Sequence, residues 1–208
     1  MRPARSRIWK IAFTRDQDHD SHFAWQVTIE TPQDDKAALR SVMRERLRGA
    51  AQESRELLAE LHTTLGELHA ARRIAIFSPM AGEPDLTPLM TAMPLHDWLF
   101  PRVDGDRLHF HLVQDAAEQL KPGAFGIREP TCGLPMSAIA DIDIFICPGL
   151  AFDTTGGRLG RGRGFYDRLL GEANEKALKI GVGFACQLVD TTYPEAHDIP
   201  MDAVLCKG

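Results

Sequence analysis

The chain has no apolar run near the about 20 residues that a membrane-spanning helix requires; its apolar stretches are short, as at Ile144 to Cys147. It also lacks an excess of positive charge. Lys+Arg number 24 against 29 Asp+Glu, a formal net charge of -5, which argues against a protein whose main task is to coat nucleic acid or an anionic membrane. Cysteine is scarce, and Cys132, Cys147, Cys186 and Cys206 form no C-x-x-C. Without a secretory signal they read as reduced thiols of a cytoplasmic protein, packed as small hydrophobes, and not as a zinc site. Internal repeats and low-complexity tracts are absent, as are a G-x-S-x-G elbow and an H-E-x-x-H helix, so no covalent serine nucleophile or zinc hydrolase is indicated. What remains is 208 residues, 44% hydrophobic and 25% charged, the proportions of one soluble domain with a sizeable core.

Residues 1–30 stand apart. Arg2, Arg5, Arg7, Lys10 and Arg15 occur there without an acid until Asp16, Asp18 and Asp20, and no apolar segment follows the arginines as a secretory signal would require. A disordered or poorly packed extension is expected, with an organelle-targeting segment or an over-extended start as alternatives. Residues 31–208 are expected to form a single α/β domain.

That domain opens with Thr31-Pro32-Gln33-Asp34, which combines a capping threonine, proline at the first helical position and an acid three residues after the cap. The predicted helix runs to about Gly49. Leu39, Val42, Met43 and Leu47 make its expected core face, while Lys36, Arg40, Arg44 and Arg48 repeat every four residues as a basic stripe. Pattern alone favours a solvated surface for that stripe. A second helix carries Leu57, Leu58, Leu61, Leu65 and Leu68 on its buried side. From Ile74 the rhythm changes to short apolar runs at Ile74 to Phe77, Trp98 to Phe100, Leu108 to Val113, Ile142 to Cys147, Ile180 to Phe184 and Ala203 to Leu205. These predict a three-layer α/β fold, its mostly parallel sheet flanked by helices and preceded by the helical pair, with Ile142 to Cys147 buried on both faces except at Asp143. Ligands of such sheets bind beyond the carboxyl ends of the strands.

Beyond Ile142 to Cys147 comes Pro148-Gly149-Leu150-Ala151-Phe152-Asp153, then the stretch from Gly156 to Leu170 with Gly160, Gly162 and Gly164 at alternate positions. These glycines let backbone N–H groups approach a phosphate and allow positive φ. Arg158, Arg161 and Arg163 bring forked donors, and the start of the following helix near Tyr166 adds positive potential. Between residues 151 and 168, Arg158, Arg161, Arg163 and Arg168 stand against Asp153 and Asp167, four against two, a local +2. Asp167 is suited to hold Mg2+ beside phosphates. The loop is neither a Walker loop, lacking Gly-Lys-Ser/Thr, nor a dinucleotide fingerprint, since Phe165 replaces the last glycine. A flexible Arg-Gly linker that binds RNA is the alternative.

The strings P-G-L-A-F-D and G-x-R-L-G-R-G-x-G-F-Y-D, with Gly126-Ile127-Arg128-Glu129-Pro130 upstream, resemble the 5-formyltetrahydrofolate cyclo-ligase (5,10-methenyltetrahydrofolate synthetase) family from about Lys36 to the C-terminus. Lys36-Ala37-Ala38-Leu39-Arg40 resembles the family's K-x-x-L-R nucleotide motif, which turns the basic stripe into an expected phosphate contact. Glu83, in Ser78-Pro79-Met80-Ala81-Gly82-Glu83, is similar to its folate-contacting glutamate, so Ser78 and Glu83 are expected at the substrate. Phe100-Pro101-Arg102-Val103 and Pro194-Glu195-Ala196-His197-Asp198 also fit the pattern, and Asp198 corresponds to a second metal carboxylate beside Asp167. The resemblance further implies that Arg158, Leu159, Gly160, Arg161, Gly162, Arg163, Gly164, Phe165 and Tyr166 line the site for ATP and substrate. Arg161 to Phe165 would lie nearest the folate, and Arg161, Arg163 and Tyr166 would be catalytic.

The implied reaction turns 5-formyltetrahydrofolate and ATP into 5,10-methenyltetrahydrofolate, ADP and phosphate in a Mg2+-dependent ring closure. A monomeric cytoplasmic enzyme of one-carbon metabolism is expected, with no nucleic-acid or membrane partner. Its expected mechanism transfers the γ-phosphoryl to the formyl oxygen, which makes a poor leaving group a good one; chiefly positioning and charge neutralisation are asked of the protein. Tyr166 against the nucleotide and Phe165 against the pterin are alternatives to plain helix-start packing. A noncatalytic nucleotide- and folate-binding regulator of the same fold is the competing class. His109 and His111 share one strand face without a third metal ligand, Gln187 stands at a strand end, and Asp202 reads as a strand-start residue.

Overall fold

Side-chain alternation along a few short strands organises this fold. The structure, a computed structural model, describes residues 11–15, 25–29, 32–49, 54–68 and 71–207. In chain order its elements are β1 (Ile11–Arg15), β2 (Trp25–Ile29), α1 (Pro32–Gly49), α2 (Arg55–Glu67), β3 (Arg73–Ala75), α3 (Pro88–Ala92), β4 (Asp97–Asp104), β5 (Arg107–Leu112) and α4 (Ala116–Gln119). There follow β6 (Leu120–Pro122), β7 (Arg128–Pro130), β8 (Met136–Ser137), β9 (Ile144–Cys147), β10 (Ala151–Asp153), β11 (Arg158–Leu159), α5 (Phe165–Gly171), β12 (Leu178–Phe184), β13 (Leu188–Val189) and β14 (Ala203–Lys207). Within residues 1–30, β1 and β2 pair antiparallel with Ile11 opposite Ile29, an element the sequence reading did not assign. The rest of that stretch, with Arg2 to Lys10 and Asp16 to Asp20, lies outside the described residues, as does the capping residue Thr31.

The main sheet has the order β14-β12-β9-β3-β4-β5-β8. Its neighbours from β14 to β4 run parallel, and β4–β5 and β5–β8 run antiparallel, so the sheet is mostly parallel as expected. Alternate residues point to opposite faces. Ile74, Ile76, Trp98, Phe100, Ile144, Ile146, Ile180 and Val182 face α2 and α3, where Leu57, Leu61, Leu65 and Leu89 meet them. Ala75, Leu99, Phe145 and Cys147 face the other way, toward Leu169 and Leu170 of α5. This makes three layers, and full burial of each large apolar side chain contributes about 1.5–3 kcal/mol. Asp143, just before β9, is exposed as the sequence reading expected, and its carboxylate accepts from the N–H groups of Arg72 and Arg73.

Helix α1 departs from expectation at one core position. Met43 and Leu47 are buried against Leu150, Ala151 and Leu159, and Leu39 packs at the edge, but Val42 is 53% exposed. Positions 36, 40, 43 and 47 project within about 60° of one another at about 100° per residue, and position 42 lies on the far side. The same geometry divides the basic stripe. Steps of four rotate by about 40°, so the stripe winds from buried Lys36 through half-buried Arg40 to exposed Arg44 and Arg48.

A small sheet of order β11-β10-β13, also unassigned by the sequence reading, carries the glycine-arginine loop. Asp153 ends β10 with its carboxylate 1% exposed. It accepts hydrogen bonds from the N–H and hydroxyl of Thr155 at 3.0 and 2.6 Å, from the Gly157 N–H at 2.9 Å, and from the N–H and hydroxyl of Thr192 at 2.9 and 2.7 Å. Burial alone would raise its pKa, but these donors outweigh burial and hold it below the usual value. Gln187 is fully buried rather than a ligand group: it donates to the Gly149 carbonyl at 2.6 Å and accepts from the Phe184 N–H at 2.7 Å.

Candidate active site

The carboxyl ends of β3 and β9 open into a cavity of about 440 Å³. Phe77 and Ser78 leave β3 there, Pro148 and Gly149 leave β9, and the loop from Arg158 to Asp167 closes over them. Lys36 and Arg40 of α1 and the segment with Glu195, His197 and Asp198 complete one wall.

This wall is densely charged. The Lys36 ammonium, 6% exposed in its side chain, donates to Glu195 Oε2 at 2.9 Å and to Asp198 Oδ2 at 2.6 Å. Asp198 Oδ2 also accepts from the Glu195 N–H, and His197 Nε2 lies 3.4 Å from Glu195 Oε2. Arg40 Nε donates to the Gly160 carbonyl at 3.1 Å, tying α1 to the loop. Arg158 donates through Nη2 to Asp167 Oδ1 at 2.8 Å and through Nη1 to the Pro148 carbonyl at 3.3 Å. Its guanidinium carbon sits 5.4 Å from the centre of the Tyr166 ring, within cation–π range. Two buried polar atoms of the cavity, Ser78 Oγ and Arg158 Nε, have no hydrogen-bond partner among the described residues. The loop turns at Gly162 and Gly164, with φ of +100° and +66°, a backbone region that favours glycine.

The lining also includes the apolar side chains of Met80, Pro101, Val103, Leu108, Ile127 and Phe165. Two carboxylates stand among them. Glu83 Oε1 accepts from Arg161 Nε and Nη2 at 3.1 and 3.0 Å, while its Oε2 accepts from the Met80 N–H. Glu129 Oε1 accepts from the Val103 N–H at 3.2 Å. Burial pushes the Tyr166 phenol well above its ordinary pKa, with Cys147 and Glu83 adding to the rise and Arg158 opposing it, so the hydroxyl keeps its proton.

The residues that the resemblance assigned to the nucleotide, folate and metal line this one cavity: Lys36, Arg40, Ser78, Glu83, the run Arg158 to Asp167, and Asp198. The two expected metal carboxylates have different partners. Asp167 pairs with Arg158, whereas Asp198 joins Glu195 and His197 in a group whose candidate ligand atoms lie within 4.8 Å of one another. Glu195, His197 and Glu129 carried no role in the sequence reading; the signal was their place inside matched strings. The helix after the loop has only seven residues, so the anion-attracting field rests on the arginines more than on a helix dipole.

Outside the cavity, Asp202 is paired with Lys179 at the start of β14. His109 and His111 are half-buried, with His111 Nδ1 at 3.0 Å from the Leu134 carbonyl. The four cysteines are free thiols; Cys147 is buried, but Cys132 is exposed and so does not pack as a small hydrophobe. Among the described residues, no helix is long and apolar enough to cross a membrane.

The chain is similar to known proteins along most of its length. It is 45% identical over 82 residues to the 5-formyltetrahydrofolate cyclo-ligase of Mycolicibacterium smegmatis, a match covering 39% of this chain and 42% of the relative. The chain thus spans less than half the length of that curated relative. With the Escherichia coli protein of the same name it shares 33% identity over 150 residues, 65% of this chain and 78% of the other. The solved structure of Aquifex aeolicus 5,10-methenyltetrahydrofolate synthetase superimposes with a TM-score of 0.69 at 34% identity, covering 81% of this chain and 88% of that one. The model of the 5-formyltetrahydrofolate cyclo-ligase family matches residues 32–207. On this match, and with the strings that resemble the family gathered around one cavity, the chain belongs to the 5-formyltetrahydrofolate cyclo-ligase family.

Proposed function

We propose that the protein converts 5-formyltetrahydrofolate and ATP into 5,10-methenyltetrahydrofolate, ADP and phosphate, as a Mg2+-dependent monomer in the cytoplasm. One observation carries this reading: a single cavity is lined both by the cations Lys36, Arg40, Arg158, Arg161 and Arg163 and by apolar side chains with the carboxylates Glu83 and Glu129. The first suits a triphosphate; the second suits a flat heterocycle bearing amino and amide donors. The family's name supports the folate; the cationic residues of the cavity support the triphosphate.

The chemical obstacle is the formyl group, an amide whose oxygen leaves poorly. In the proposed sequence the γ-phosphoryl passes from ATP to that oxygen, and ADP leaves with the electron pair of the broken P–O bond. The bridge amine then attacks the formyl carbon and loses its proton, while phosphate departs with the electron pair of the C–O bond. The protein's part is placement and charge. Lys36, Arg40 and Arg158 face the phosphates, Arg161 and Arg163 face the transferred group, and Glu83 with the Ser78 region orients the folate. Phe165 offers a face to the pterin, and the neutral phenol of Tyr166 is available to donate to the nucleotide.

The donor set fits a hard divalent cation. Asp167 and Asp198, with Glu195 next to the latter, offer carboxylate oxygens beside the phosphate wall, the ligand chemistry magnesium prefers. Bound there, Mg2+ would supply charge neutralisation at the phosphate oxygens. The test is an absorbance assay for methenyltetrahydrofolate formed from 5-formyltetrahydrofolate with MgATP. Product above the no-enzyme control is expected, and folded protein that yields none refutes the assignment.

A further inference from the structure

Among the described residues, Ser78 Oγ and Arg158 Nε are the two polar side-chain atoms of the cavity lining that are buried and lack a hydrogen-bond partner. Ser78 is 4% exposed and Arg158 7%. Such atoms are costly to bury unsatisfied, and where they persist in a cavity they point to a ligand atom that completes them.

The fold brings these two together. Strands β3 and β9 are parallel neighbours, with Ile74 opposite Ile144 and Ala75 opposite Phe145. Ser78 follows β3 by three residues and Pro148 follows β9 directly, so both stand beyond the carboxyl ends of neighbouring strands and line the same cavity. Pro148 is also where Arg158 is anchored, since Nη1 donates to its carbonyl at 3.3 Å. Nη2 is committed to Asp167. Each nitrogen of the fork thus has an N–H in a bond that anchors the side chain, whereas the buried Nε has none.

The chemistry of the pair narrows what it takes. Arg158 Nε can only donate, and a serine hydroxyl beside it donates at little cost, so the missing partner is an acceptor. Around it stand the loop glycines, the Arg161 and Arg163 side chains, and Asp167. We infer that Ser78 Oγ and Arg158 Nε form a two-donor cradle for the terminal phosphoryl group of the nucleotide, which makes Ser78 one of the residues that distinguish ATP from ADP. This rests on the nucleotide reading proposed above and assigns the serine side chain a role of its own.

Ser78→Ala tests it by direct binding and by stability. Calorimetric titration should show a magnesium complex of a nonhydrolysable ATP analogue bound about tenfold more weakly, as for the loss of one hydrogen bond to a charged group, with MgADP affinity unchanged. Without ligand, the variant should melt about 2 °C higher than the parent, because an unsatisfied buried hydroxyl is gone. Equal loss for analogue and MgADP overturns the cradle, as does no loss for either. Weakened binding of 5-formyltetrahydrofolate with the analogue unaffected assigns the pair to a folate oxygen and also overturns it. A lower melting temperature shows that the hydroxyl has a structural partner, against the premise. Absence of cyclised product from the parent, with nucleotide selectivity intact, would sink only the proposed reaction; cyclisation by a variant with unchanged selectivity sinks only the cradle.

Discussion

Lys36 Nζ lies 2.6 Å from Asp198 Oδ2, across a separation of 162 residues, and 2.9 Å from Glu195 Oε2. A single ammonium thus fastens the first helix of the domain to the segment that precedes its last strand. The contact is far more enclosed on the lysine side than on the Glu195 side, whose side chain is 30% exposed.

Removing that ammonium leaves two carboxylates facing each other. Lys36→Met is expected to lose about 2–3 kcal/mol in urea unfolding, at or below the low end for breaking a buried pair because Glu195 reaches water. Adding Asp198→Asn should restore part of the loss. A change under about 0.5 kcal/mol would show that the pair behaves as a solvated one.

Asp167→Asn separates the proposed metal role from a structural one. Asparagine retains an acceptor for Arg158 Nη2, so stability should fall by only about 1 kcal/mol. The KM for MgATP should rise about tenfold or more, most clearly at limiting Mg2+. Activity that survives at limiting Mg2+ would require another role for this carboxylate.

The Asp153 knot predicts an acid limb in the stability profile. Its folded pKa is depressed, so its contribution is fully present above the unfolded value of about 3.9 and is lost as pH falls through the folded value. Unfolding midpoints measured from pH 5 downward should therefore drop below about pH 4, and Asp153→Asn should lower stability at pH 5 while flattening that drop. Gly157→Ala attacks the same knot sterically. A Cβ there would overlap the Asp153 carboxylate and the Thr192 hydroxyl, and a loss of about 2 kcal/mol or more is expected.

Thiol labelling should sort the cysteines. Burial pushes the Cys147 thiol up to about 12 and the Cys206 thiol up to about 11. At pH 8 both remain protonated in the folded protein, whereas exposed Cys132 should react first with a thiol reagent. Cys147 should become reactive only on unfolding, and early labelling there would contradict the burial of β9.

Local pattern made the helical pair, the parallel strands and the glycine-arginine loop legible in the sequence. Leu57, Leu61 and Leu65 repeat at helical spacing, and Ile144 to Cys147 is an apolar run bounded by turn residues. The short strands β10, β11 and β13 were not legible, since two or three residues carry no period. Asp153 and Gln187 look like surface residues in sequence; the donors and carbonyls that satisfy them come from remote segments, such as Thr192 and Gly149. Val42 misled because its spacing fits a wide apolar face, and α1 rests on a narrow one. The partnership of Lys36 with Glu195 was out of reach for the same reason as the knot: nothing near either residue encodes the other.

The long span between Lys36 and Asp198 also has a meaning in time. At about 5–20 residues per second of synthesis, the 162 positions between them take about 8–32 s to add. For that interval the lysine has no carboxylate to meet, and the wall of the cavity cannot form. The nascent chain can raise its central strands early, but the wall of the proposed nucleotide site is complete only once Asp198 has been added.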